Sequence, residues 1–179
     1  MKPLLLIISL LLGSSTFCYS QKCNVSEDAF SGAKVVEFSN PRKDFEYELR
    51  GDSVRLTLRF RQGGELNTIM PAGTPFSLKL EDGSILKLAT AFDTRPNTQI
   101  VAGNGSAAAL TWYRYVFLLS PAELDKLSAS KATHMRHPNV DNGTQDWDLG
   151  SNGATKKYAK LLKAGAECMK EHYKGPANK

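Results

Sequence analysis

From Lys34 onward, apolar and polar positions alternate. Val36 and Phe38 alternate with Val35 and Glu37 until Asn40-Pro41 breaks the run. Phe45, Tyr47 and Leu49 then alternate with Glu46, Glu48 and Arg50. After Gly51-Asp52, Val54, Leu56, Leu58 and Phe60 alternate with Arg55, Thr57, Arg59 and Arg61. Side chains on a strand point to opposite faces in turn, so a period of two marks a strand with one face in a core. Two such runs joined by a Gly-Asp turn predict a β-hairpin. Gly63-Gly64 ends it, and Pro71-Ala72-Gly73 marks a loop. Phe76, Leu78 and Leu80, the turn Asp82-Gly83, and Leu86, Leu88 and Thr90 predict a second hairpin. Residues 93–109 are rich in Asn, Gly, Ala and Thr with little periodicity and read as a long loop. From Thr111 to Leu119 both parities are apolar, the pattern of a central strand buried on both faces.

Helical signals follow. Ser120 stands as an N-cap, Pro121 takes the first helical position and Glu123 completes a capping box, with Leu124 and Leu127 as the apolar edge. Residues 132–136 read as a short strand and 137–153 as a second polar loop. A closing helix runs from about Ala154 to Tyr173, with Tyr158, Leu161, Leu162, Gly165 and Met169 at helical spacing and most lysines on the other side. Gly175-Pro176 stops it, leaving 175–179 as a loose tail. Six or seven strands and two helices without βαβ alternation predict an α+β fold. It is mainly antiparallel β, a sandwich or curled sheet, with one short helix and a C-terminal helix packed on it. One domain over 21–174 is expected.

The N-terminus points to export. Lys2, the apolar run 4–12 and the small exit residues before Gln21 form a secretory signal over 1–20. The run is shorter than the 20 or so residues that cross a bilayer, and no transmembrane segment is expected. Phe17 makes a poor lipobox before Cys18, which argues against a lipoprotein. The expected location is secreted or periplasmic.

Composition adds little to this. Of 179 residues, 41% are hydrophobic and 23% charged, an ordinary globular balance. The formal charge of +5 is too mild for nucleic-acid binding and leaves an envelope protein or an anionic glycan open as partner. Of three cysteines, Cys18 leaves with the signal. Cys23 and Cys168 then pair as a disulfide between the N-terminus and the last helix.

Three constellations bear on chemistry. His134, His137, Asp141, Asp146 and Asp148 hold imidazoles and carboxylates, the ligands a divalent metal or an acid–base hydrolase needs. On a strand, however, 134 and 137 face opposite sides. Arg55, Arg59 and Arg61 line one strand face and, with Lys79 and Lys87, would present a basic patch to an anion. Cross-strand pairs with Glu46 and Glu48 would partly neutralise it. Trp112 and Trp147 are the aromatic anchors beside the two long loops. No Gly-x-Ser-x-Gly elbow, phosphate loop or dinucleotide fingerprint occurs, and no cofactor is called for.

The hairpin Phe76-Ser77-Leu78-Lys79-Leu80-Glu81-Asp82-Gly83, the strand from Trp112 to Leu119, the turn Leu119-Ser120-Pro121-Ala122-Glu123-Leu124-Asp125-Lys126-Leu127 and the lysine-rich last helix carry a resemblance. With the signal, they make the chain similar to small exported β-rich proteins of Bacteroidetes-type bacteria. That resemblance implies an envelope or secreted location and carries over no catalytic residue. The expectation is therefore an exported, non-enzymatic binding module that works through a sheet face or the long loops. The alternative is a metal-assisted or acid–base hydrolase using 134–148.

Overall fold

The computed structural model describes residues 23–103, 106–141, 143–151 and 153–175. The signal over 1–20, Cys18 with it, and the tail beyond Gly175 lie outside them.

Ten strands and two helices occur among the described residues. They are β1 (Asn24–Glu27), β2 (Lys34–Ser39), β3 (Phe45–Arg50), β4 (Ser53–Gly63), β5 (Pro75–Leu80), β6 (Ile85–Ala89), β7 (Asn97–Gly103), β8 (Ser106–Leu119), α1 (Pro121–Ala129), β9 (Ala132–Asn139), β10 (Gly143–Asp148) and α2 (Gly153–His172). One sheet has the order β1-β2-β3-β4-β8-β7 and the other β10-β9-β5-β6. Every pairing is antiparallel. The fold is α+β and β-rich, as the alternation predicts.

The inner faces form one core. Phe76 of β5 lies 4.8 Å, centroid to centroid, from both Tyr115 and Phe117 of β8, and 6.0 Å from Phe60 of β4. These distances fall within the range of tilted aromatic packing. Beside the small sheet, α2 lies on the inner side of β2 and β3, where the Tyr47 hydroxyl donates to the Leu162 carbonyl at 2.9 Å. Cys23 and Cys168 are bonded, with Cα atoms 5.8 Å apart, so the head of β1 is tied to α2. The capping box of α1 forms as expected: Glu123 N–H donates to Ser120 Oγ, and Ser120 N–H to Glu123 Oε2.

The structure corrects four local expectations, and solvent explains each. Residues 93–109 are not a loop. They contain β7 and the start of β8, paired from Asn97↔Trp112 to Gly103↔Ser106. Before Leu110, β8 has no register partner on β4, and the side chains of this ribbon are mostly exposed, so no buried face imposes a period of two. The same holds in 137–153, where β10 pairs with β9 although nearly all of β10 is exposed. Asn24–Glu27, in the small polar stretch 21–32 that reads as a tether in the sequence, pairs with β2 although all four residues are exposed. Finally, β8 lies between β4 and the edge strand β7 and is buried on one face only: Leu118 is 53% exposed, and Arg114 on the same face is exposed.

Candidate functional site

The outer face of the six-stranded sheet carries the expected arginine row, and its charges are sorted across the strands. Pairing places Glu48 opposite Arg55, Arg59 opposite Arg114, and Arg61 opposite Trp112, which in turn faces Asn97. Residues opposite one another in an antiparallel pair share a face at contact distance. Acidic groups thus stand on β2 and β3, with Arg50 at the end of β3 paired to Asp28 and Glu48, and the remaining basic groups stand on β4 and β8.

The acidic side neutralises part of the row. Arg55 is paired with Glu48, Arg114 reaches Glu46 at 3.1 Å, and Arg59 lies 4.0 Å from Asp44. Among the described residues, Arg61 and Arg95 pair with no carboxylate. The Arg59 guanidinium lies over the Trp112 ring at 4.9 Å from its centroid, and that of Arg61 at 5.8 Å. Guanidinium stacked on indole keeps its in-plane N–H donors free for an anion. Beside this stack is an open groove of about 420 Å³ lined by Arg59, Arg95, Asn97, Gln99, Trp112 and Arg114. The Trp112 Nε1–H is covered and donates to nothing among the described residues. Three guanidinium groups and two carboxamides that can turn their NH2 inward supply the donors, and no carboxylate lines the groove, so its chemistry suits a carboxylate, sulfate or phosphate.

Arg59, Arg61 and Trp112 thus come together as the sequence suggests, while Arg55 is drawn off to Glu48. Lys79 and Lys87 do not join them, because β5 and β6 belong to the other sheet. They line a separate 380 Å³ groove with His134 and Arg136. Arg95, Asn97, Gln99 and Arg114 escape the sequence reading. Arg114 was the available signal, since a single charge inside an apolar strand marks the wet face.

The second constellation does not converge. His134 is exposed and His137 is 2% exposed, on opposite faces of β9 as strand geometry requires. Asp148 stands across from His134, whereas Asp141 lies past the other end of the β9–β10 pairing, beyond Asn139. Asp146 accepts two hydrogen bonds from Arg136, both at 2.6 Å, which hold its carboxyl below the usual range. Among the described residues no group of three or more His, Cys, Asp or Glu is placed to hold a metal ion. Trp147, expected as a loop anchor, instead packs on the core, with ring centroids 4.8 Å from His137 and 5.1 Å from Phe60.

His137 has a structural consequence that pH exposes. Its ring stacks on Phe60 at 4.4 Å, its Nδ1–H donates to the Pro138 carbonyl at 2.9 Å, and Nε2 has no partner among the described residues. Burial pushes its pKa below the ordinary 6.5, against smaller upward pulls from the Pro138 carbonyl and Asp146. The unfolded chain therefore takes up a proton that the folded chain refuses. Stability is complete above about pH 6.5 and falls as pH drops toward the depressed folded pKa. Carboxylates held low, such as Asp146, act only at more acid pH. In urea titrations between pH 7.5 and 5, the parent is expected to lose stability and His137→Gln to lose less. Parallel curves would refute the assignment.

No family model, curated protein or solved structure matches the chain.

Proposed function

We propose that the chain is an exported, non-enzymatic binding module that takes an anionic ligand in the arginine–tryptophan groove. The observation that carries this reading is the pair of arginines without carboxylates, Arg61 and Arg95, beside an indole already stacked with guanidinium. A sheet face built only for solubility pairs or intersperses its charges; here four arginines gather around one aromatic ring. Export rests on the signal over 1–20 and is supported by the Cys23–Cys168 bond, since structural disulfides persist in oxidising compartments. Among the described residues no helix is long and apolar enough to cross a membrane.

The test uses Trp112 as its own reporter. In a Trp147→Phe background, titration with dextran sulfate at 150 mM salt is expected to change the Trp112 fluorescence. Arg61→Glu with Arg95→Glu is expected to weaken binding at least about tenfold, the equivalent of 1.4 kcal/mol. A fluorescence that never moves, or a charge-reversed variant that binds equally well, would defeat the proposal.

A further inference from the structure

The groove reaches the edge strand β7 through Asn97 and Gln99, and among the described residues nothing guards that edge. Sheet edges are normally blunted by charge, proline or a covering segment, because their free N–H and C=O groups pair with any extended chain. The edge strand β10 carries Asp146 and Asp148, β6 carries Lys87, and β1 is short and tied by Cys23. By contrast β7, Asn-Thr-Gln-Ile-Val-Ala-Gly, has no charge and no proline.

Hydrogen bonds to β8 identify the open groups. The Ala109 carbonyl accepts from Gly64 N–H on the β4 side, whereas the Val116 and Arg114 carbonyls accept from Ala91 N–H and the Thr94 hydroxyl on the other. Backbone groups alternate in direction along a strand, so the even-numbered residues of β8 bond toward β7. Their partners are Asn97, Gln99 and Val101. Thr98, Ile100 and Ala102 therefore aim N–H and C=O away from the sheet. The segment 91–95 covers β8 only upstream of this stretch, so the open edge coincides with β7.

We infer that the ligand of the groove is an extended acidic peptide that adds to β7 as a seventh strand. This rests on the anion-binding reading above and names its ligand class. On an added strand every second side chain falls on the outer face beside Asn97 and Gln99, which already line the groove with Arg95 and Arg114. Carboxylates at those positions meet guanidinium groups. The alternate positions fall on the face of Ile100, 78% exposed, and are matched by apolar side chains. A second copy of this chain is the poorer occupant, because joining two β7 edges would bring the arginine clusters of both copies together.

The experiment compares three probes on the disulfide-bonded protein: an eight-residue peptide alternating Glu and Val, the same peptide N-methylated at alternate backbone nitrogens, and dextran sulfate. The plain peptide is expected to bind and to slow amide exchange at Thr98, Ile100 and Ala102. N-methylation is expected to weaken it at least about tenfold, since it removes the ladder donors and keeps the charge. Ile100→Pro removes one outward N–H at a position where an edge strand tolerates proline. That variant is expected to lose the peptide and keep dextran sulfate. Equal binding of the plain and N-methylated peptides, with dextran sulfate retained, would overturn strand addition and leave the anion groove standing, with a glycan as its ligand. Failure of every polyanion would overturn both readings. Sedimentation as a dimer without peptide would assign the edge to a second copy.

Discussion

The Cys23→Ser, Cys168→Ser variant is expected to melt about 10–20 °C below the parent at neutral pH. The bond joins residues 145 positions apart, so it forbids most of the open conformations of the unfolded chain. Loop-closure entropy puts that restriction at about 4–5 kcal/mol, and each kcal/mol moves Tm by about 2–4 °C in a domain this size. The loss should be localised as well as global. All four residues of β1 are exposed, and the strand pairs only with β2, so little besides Cys23 holds it. Amide exchange of Asn24–Glu27 is accordingly expected to rise toward that of an unfolded chain. Calorimetry of parent and variant checks the first point, and exchange mapping the second. An unchanged Tm would mean that the β1–β2 ladder fixes the N-terminus without the bond.

Legibility of the fold in the sequence follows burial closely. Where one face of a strand enters the core, as at Phe45, Tyr47 and Leu49 or at Phe76, Leu78 and Leu80, the alternation is visible and the strands form there. The α1 cap was equally legible, because Ser120 and Glu123 act within a single turn. Strands at the margin of the core, β1, β7 and β10, carry no periodic signal because at most one side chain of each, such as Trp147 of β10, is turned toward burial. They are held by backbone pairing, which leaves almost no trace in side-chain pattern. The pattern of β8 misleads for a related reason: Trp112, Val116 and Leu118 are apolar on a face that no second layer covers among the described residues.

The candidate site was legible in part on the same grounds. Arg59 and Arg61 stand out because a regular strand puts them on one face, and Trp112 because of its type. Their convergence depends on β4 pairing with β8 in the register Arg61↔Trp112, a contact between residues far apart in sequence. Asn97 and Gln99 join only through β7, and Arg95 through the segment leading into it, a stretch whose sequence carries no strand periodicity. The His134–Asp148 segment shows the converse. Its residue types suit a metal or an acid–base pair, yet placement on β9, which has one face in the core and one in solvent, sends His137 inward and leaves Asp146 with Arg136. Residue type nominates a site, and topology decides whether its members meet.

Gly165→Ala should lower stability by about 2 kcal/mol, although alanine in place of a helical glycine ordinarily raises it by about 1 kcal/mol. The reversed sign comes from close approach. A Cβ on Gly165 would press against the edge of the Tyr47 ring, well inside van der Waals contact of Cδ2 and Cε2, and lie 3.0 Å from Cδ1 of Phe38. Neither ring is free to retreat. Tyr47 is 1% exposed and anchored by its hydroxyl to the Leu162 carbonyl, and Phe38 is 3% exposed in the same cluster. The methyl group must therefore push α2 away from β2 and β3, loosening the layer that carries Leu161, Leu162 and Met169. Gly153→Ala, where an added Cβ meets nothing within 4 Å, is the control and should stay within about 0.5 kcal/mol of the parent. Chemical denaturation of both variants measures the difference. Repeating Gly165→Ala in a Tyr47→Leu background isolates the cause, because the ring that blocks the methyl is then gone. A smaller loss there supports the clash, and an equal loss in both backgrounds would rule it out.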